Sequence, residues 1–124
     1  MWHDLSSVLL SLTGCTSLED VPWHDVLIFT CIDELLKGRK FRQKHLTSQR
    51  SFCGKGISSK PCGRLFVCGS SESIINYFKR KYDKDLNSVS SCVVERSSEP
   101  DSRTGVYHPI ECLDIWLSDE DRYL

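Results

Sequence analysis

The chain is short of several things, and each shortage removes a class of function. No stretch approaches the ~20 consecutive apolar residues that span a bilayer. Met1-Trp2-His3-Asp4 lacks a basic start, and Val8-Leu9-Leu10 is too short for a secretory signal, so the sequence reads as intracellular. The seven cysteines (15, 31, 53, 62, 68, 92 and 112) include no C-x-x-C pair. Cys53, Cys62 and Cys68, the nearest to a cluster, lack the paired spacing with which one short turn offers two thiolates to zinc. An odd count without an export signal also argues against a disulfide framework. Phe29-Thr30-Cys31-Ile32 and Phe66-Val67-Cys68 set thiols beside apolar neighbours, where small buried hydrophobes belong. There is no G-x-S-x-G elbow, H-E-x-x-H, P-loop or dinucleotide glycine pattern. The four histidines (3, 24, 45 and 108) are scattered. A Cys–His pair that meets only in the fold stays open. The expectation is a non-enzyme with no metal, no cofactor, no small-molecule substrate and no membrane partner.

What is present is charge, sorted along the chain. Residues 1–36 carry six acids and no Lys or Arg, residues 37–82 twelve Lys and Arg against the single acid Glu72, and residues 83–124 ten acids against four bases. The net charge of −1 thus hides a basic middle between two acidic flanks. Such sorting fits a polyanionic ligand. It also fits a basic face that is merely solvated, because segregation along a chain need not survive folding.

A chain of 124 residues has room for one domain with one modest core. The first ~20 residues read as a strand leading into a loop, since serines and threonines dilute Leu5, Val8, Leu9 and Leu10. Pro22 marks the first position of a helix. Its apolar stripe runs through Trp23, Val26, Leu27, Ile28, Cys31, Ile32 and Leu35, and Lys37-Gly38 stops it. Residues 39–68 read as short antiparallel strands punctuated by Gly54, Gly56, Pro61 and Gly63. A second helix starts at Ser70 or Ser71 with Glu72 in its first turn. Ile74, Ile75, Phe78 and Tyr82 form its stripe, and Lys79-Arg80-Lys81 sit near its negative end. Strands at 91–96 and 105–110 bracket a polar loop at 97–104, a strand follows at 110–117, and an acidic tail ends the domain. The class is α+β, a small barrel with helices inserted.

Single-strand nucleic-acid binding needs cations that follow a backbone and aromatic groups that hold bases and sugars. The basic block interleaves both. Tyr77 and Lys81 stand at i and i+4, one turn apart on one helix face, with Phe78 and Tyr82 as the adjacent pair. One helix surface can therefore offer a phosphate two phenols and an ammonium. The plainer alternative is an amphipathic helix with half-buried tyrosines and solvated lysines.

Three stretches carry a resemblance. Ser73-Ile74-Ile75-Asn76-Tyr77-Phe78-Lys79-Arg80-Lys81-Tyr82 resembles the V-x-x-Y-F-x-x-K-Y helix of PAZ domains, the 3′-end binding modules of Argonaute, PIWI and Dicer proteins. Tyr107-His108-Pro109-Ile110-Glu111-Cys112-Leu113-Asp114-Ile115 is similar to the family's Y-L-P-x-E-x-C-x-I strand. Residues 45–61 with Phe66 resemble its H…R-x-Y…R-P…F-P segment, and Ile32–Leu36 fall where it has F-x-C-E-x-L. The resemblance spans roughly residues 20–123.

The resemblance implies an OB- or SH3-like barrel with a flanking helix and an inserted β-hairpin–α-helix module. Residues 1–124 would form a single PAZ-like domain cut from a longer Argonaute chain. His45, Arg50, Tyr77, Lys81 and Tyr82 would hold the last internucleotide phosphate of a single-stranded RNA, with Phe52 in the place of a phosphate-binding tyrosine. Phe66 would meet the terminal nucleotide, and Tyr107 and His108 would line the pocket for its sugar. The implied role is sequence-independent anchoring of a small guide RNA by its 3′ end, in RNA silencing, by a monomer in the cytoplasm, nucleus or germ granules. Two departures stand out. Phe52 lacks the tyrosine hydroxyl, and His108 replaces an apolar residue beside the ribose, bearing on the choice between a 2′-hydroxyl and a 2′-O-methyl group. A degenerate pocket serving protein interaction, or a Dicer-type domain holding duplex overhangs, are the alternatives. Asp121-Arg122-Tyr123, similar to the Q-R-Y after Argonaute domains, and the absence of a long basic insertion favour Argonaute.

Overall fold

In the computed structural model, residues 1–46, 50–95 and 106–118 are described. Six antiparallel strands follow one another across the sheet in the order β1-β6-β2-β3-β4-β5. They are β1 (Trp2–Asp4), β2 (Lys40–Gln43), β3 (Ser51–Ile57), β4 (Cys92–Glu95), β5 (Tyr107–Pro109) and β6 (Leu113–Trp116). Three helices accompany them: α1 (Leu5–Thr13), α2 (Val26–Leu36) and α3 (Ile74–Tyr82). This is the α+β architecture expected, with the sheet open between β1 and β5. Among the described residues no helix is long and apolar enough to cross a membrane. The expected loop at 97–104 and the tail beyond residue 118, including Asp121-Arg122-Tyr123, lie outside the described residues.

The amino-terminal expectation needs correction. Only Trp2–Asp4 is strand, and Leu5–Thr13 is helix, not loop. Leu5, Val8 and Leu9 stand at i, i+3 and i+4 and are buried, while Ser7 and Ser11 face solvent. The serines therefore mark the outer face of a helix. Asp4 caps it by accepting from the Ser7 amide.

The second helix also shifts. It starts at Val26, where the Asp25 carboxylate accepts from the Leu27 and Ile28 amides, and Pro22 lies before it. The inward face is Ile32 and Leu36, with Ile28, Phe29 and Leu35 half-buried, whereas Val26 and Leu27 are 75% and 76% exposed. The predicted stripe was thus wrong at its start, since the cap resets which residues share the core face. Trp23 is buried outside the helix, its indole donating to the Leu18 carbonyl at 2.9 Å. Asp33 ties α2 to β3 by accepting from the Ile57 amide at 2.8 Å. At that point β3 is irregular, and Gly56 has φ 118° with the Asp33 carboxylate 2.3 Å from where a Cβ would stand. Only glycine fits there.

The cysteine expectation divides. Cys62, Cys92 and Cys112 are buried, but Cys31 and Cys68, placed inside by their apolar neighbours in sequence, are exposed. None of the seven cysteines forms a disulfide. The buried three join Leu65, Ile74 and Phe78 in a small core that seats α3 on the sheet. Burial pushes the Cys112 thiol up to about 12, so it remains protonated. A larger core around Phe41, Leu9, Leu36, Leu113 and Ile115 fills the space between sheet, α1 and α2.

Candidate nucleic-acid interface

The hairpin–helix module begins at a 3-10 turn, Cys62–Arg64. The chain then folds back so that Phe66 bridges Ser73. The expected hairpin is therefore a single bridge within a tight loop. Ser73, not Ser70 or Ser71, caps α3 by accepting from the Asn76 amide. Glu72 lies outside the first turn and grips the Arg80 guanidinium through two hydrogen bonds of 2.9 and 3.0 Å. Ile74 and Phe78 point into the small core, and Tyr77 and Tyr82 are half-buried beside them.

Between α3 and the end of the sheet lies a cleft of about 170 Å³. His45, Phe66, Tyr77, Tyr82, Tyr107 and His108 all line it, so residues separated by more than sixty positions meet there. Lys81 is not among the lining residues, but it donates to the hydroxyl of Tyr77, which is, at 2.9 Å. Its ammonium also lies 5.3 and 5.6 Å from the centres of the Tyr77 and Tyr82 rings. That hydrogen bond lowers the Tyr77 phenol from its ordinary value and raises the Lys81 ammonium. Burial raises Tyr82. The His45 ring packs edge-on to Tyr82 at 4.7 Å and against Phe78 at 5.1 Å, joining sheet to module. Burial and, less strongly, the Lys84 charge depress His45, so it is neutral near pH 7. The Cys112 carbonyl lies close enough to favour the charged ring, yet His45 Nδ1 makes no hydrogen bond among the described residues.

The sheet side differs from the expectation. Phe52 is 9% exposed and does not line the cleft. It stacks between Phe41, at 5.7 Å, and His108, at 4.1 Å with 24° between the rings. The two departures from the family pattern thus touch each other. The His108 side chain is buried, with Nδ1 3.0 Å from the Gln43 amide nitrogen and Nε2 3.4 Å from a Glu95 oxygen. With the amide as donor, the neutral ring carries its proton on Nε2, facing Glu95. That contact has ion-pair distance without hydrogen-bond geometry. Burial outweighs the Glu95 charge and holds His108 down to about 4. Arg50 is exposed, away from the cleft lining, and donates to Glu95 at 2.8 Å. Gln43 and Glu95 are members of this site that sequence reasoning missed. Their alternation on β2 and β4 was the only signal available.

The fold also redistributes charge. The acidic flanks return to the basic block: Asp114 to Arg42 at 3.0 Å, Asp4 to Lys44, Glu95 to Arg50, and Asp83 and Asp85 to Lys79. The basic stripe seen along the sequence is thus partly neutralised, and Lys81 is among the cations left without a carboxylate among the described residues. The described residues contain no group of three or more His, Cys, Asp or Glu placed to hold a metal.

No family model and no curated protein sequence matches the chain. Solved structures do. A Drosophila Argonaute PAZ domain in complex with 3′-end 2′-O-methylated RNA superposes with a TM-score of 0.71 at 17% identity, covering 94% of this chain and 100% of that one. The Drosophila Argonaute 2 PAZ domain, solved for 3′-end recognition of nucleic acids, gives 0.69 at 16% identity, over 94% and 95% of the two chains. Another structure of the Argonaute 2 PAZ domain gives 0.59 at 19% identity, over 89% and 97%. At these identities the likeness is one of fold, and it covers nearly the whole chain: this protein has the PAZ fold.

Proposed function

We propose that this domain binds the 3′ end of a single-stranded RNA without catalysing a reaction on it. The observation that carries the reading is the cleft in which Tyr77, Tyr82 and His45 converge, with the Lys81 ammonium 2.9 Å from the Tyr77 hydroxyl. Two phenols, a neutral imidazole and one cation present several donors to one phosphate, and charge-assisted hydrogen bonds of this kind are the strong ones. Phe66, 53% exposed, gives a terminal base a stacking face, and Tyr107 and His108 flank its sugar. Phenols, an imidazole and an ammonium suit a phosphate and a terminus, so recognition follows the backbone and applies to any sequence. The similar Argonaute PAZ domain solved in complex with 3′-end 2′-O-methylated RNA supports this reading. Anchoring a guide RNA in silencing is the role it fits.

The test compares a labelled single-stranded RNA with a covalently closed circle of the same sequence, by fluorescence anisotropy at fixed salt. The linear RNA is expected to bind at least tenfold more tightly. Equal affinities would remove end recognition. A basic surface used for protein contact would bind neither.

A further inference from the structure

A second cleft, larger than the first at about 500 Å³, adjoins it, and Phe66 and Tyr107 line both. Its volume falls within the ~300–1,000 Å³ of ordinary ligand sites. Lys60 and Arg64 line it, and among the described residues no acidic one does. Lys37, Arg42, Lys44, Arg50, Lys79 and Arg80 of the basic block pair with carboxylates, whereas Lys60 and Arg64 have none within ion-pair distance among the described residues. The Ser70 and Ser71 hydroxyls complete the wall.

These cations sit on backbone that is held in place. The buried Ser58 hydroxyl donates to the Lys60 carbonyl at 2.7 Å and accepts from the Cys92 amide at 2.9 Å. The 3-10 turn bearing Arg64 is fastened by the Cys62 and Gly63 amides to the Ser90 and Ser88 carbonyls, at 2.8 and 2.9 Å. The opposite wall is tied by the Val67 amide to the Glu72 carbonyl and the Ile74 amide to the Leu65 carbonyl, both at 3.0 Å. Two cations without partners on a braced rim present a site for an anion, with little reorganisation needed to bind it.

We propose that the larger cleft is a second phosphate subsite, taking a phosphate on the 3′ side of the nucleoside stacked at Phe66, and that its ligand is an RNA ending in a 3′-phosphate. The proposal rests on the reading of the smaller cleft as the clasp for the last internucleotide phosphate. With that phosphate in the smaller cleft, the shared wall puts the terminal nucleoside between the clefts. The next phosphate along the chain then lies beside Lys60 and Arg64. A terminal phosphate carries close to two charges and three acceptor oxygens, matching two cations and two hydroxyls.

The experiment uses three RNAs of one sequence, ending in a 3′-hydroxyl, ending in a 3′-phosphate, or closed into a circle. Each is titrated into the native domain, into the Lys60→Ala/Arg64→Ala double variant and into Lys81→Ala. Both replaced residues of the double variant are exposed, so the fold tolerates their loss. The native domain is expected to bind the 3′-phosphate RNA about tenfold more tightly than the 3′-hydroxyl RNA. The double variant should abolish that preference, leave the 3′-hydroxyl affinity unchanged, and flatten the log–log salt dependence for the phosphate RNA by about 1. Lys81→Ala should weaken both linear RNAs and keep the preference. A native domain that binds the hydroxyl end as tightly as the phosphate end overturns the subsite, as does a preference that survives the double variant. If the double variant abolishes the preference while Lys81→Ala changes nothing, the subsite stands and the clasp falls. If the circle binds as tightly as the 3′-phosphate RNA and is sensitive to the double variant, the cleft takes the phosphodiester of a continuing strand, and the 3′-phosphate assignment is overturned.

Discussion

The two walls of the smaller cleft are built in opposite ways. The helical wall is local: Tyr77, Lys81 and Tyr82 lie within six residues, and the helix alone fixes their spacing. Its polar groups are half-buried or exposed, so a ligand can reach them. The sheet wall is assembled from β2, β4 and β5, with Gln43, Glu95 and His108 linked in a buried polar chain that ends at the exposed Arg50. One wall offers its polar groups outward, and the other spends most of them on its own neighbours. In a low-dielectric setting a network of that kind stiffens the structure and is costly to break. Under the proposed function the helical wall would govern binding, and the sheet wall stability.

That division can be tested from its largest effect downward. Phe52→Ala removes a buried ring packed between Phe41 and His108, and is expected to cost about 3–5 kcal/mol in urea unfolding. A cost below about 1 kcal/mol would mean the ring belongs to the ligand surface after all.

Next comes pH. His108 is held near 4 in the fold, against 6.5 for the free side chain. Above pH 6.5 both states are neutral and the full stability is present. As pH falls through 6.5 the unfolded chain takes up a proton that the folded ring refuses, so stability declines until about pH 4 and then levels off. Between pH 7 and 5 the loss is about 2 kcal/mol. His45, also depressed, adds in the same direction. His108→Leu should remove most of the decline, read from urea midpoints at the two pH values. An equal decline in the variant would assign it to other groups.

On the helical wall, Lys81→Ala should leave the unfolding midpoint unchanged and weaken RNA binding about tenfold for every sequence tried. Sequence-dependent losses would point to base reading instead. The smallest effect belongs to Glu72→Gln. It frees Arg80 from an exposed ion pair, and such pairs contribute little. No resolvable shift in midpoint is expected, and a large one would show that the pair braces the module.

The same contrast explains what could be read before the structure was known. The stop of α2 at Lys37-Gly38, the stripe of α3 and the alternation of the strands depend on neighbours in sequence, and they stand. The helix at Leu5–Thr13 was hidden because its serines, which dilute the apolar pattern, occupy the solvent face. The start of α2 moved because Asp25 caps it, so that Pro22 lies before the helix and not at its first position. Cys31 and Cys68 were assigned to the interior from adjacent residues, but in a helix or a turn adjacent residues point in different directions.

The sequence by itself determined the helical wall, with its phenols and ammonium one turn apart, since helical geometry follows from chain spacing alone. It also carried a charge pattern, but only the tertiary structure decided what that pattern meant. Folding brought the acidic flanks onto Arg42, Lys44, Arg50 and Lys79, and left Lys60, Arg64 and Lys81 without a carboxylate partner among the described residues. Ion pairing depends on distance in space, which strand order sets and linear position does not. For the same reason the stack of Phe52 on His108 could not be read from residues fifty-six positions apart. It exists because β3, β4 and β5 are neighbours in the sheet.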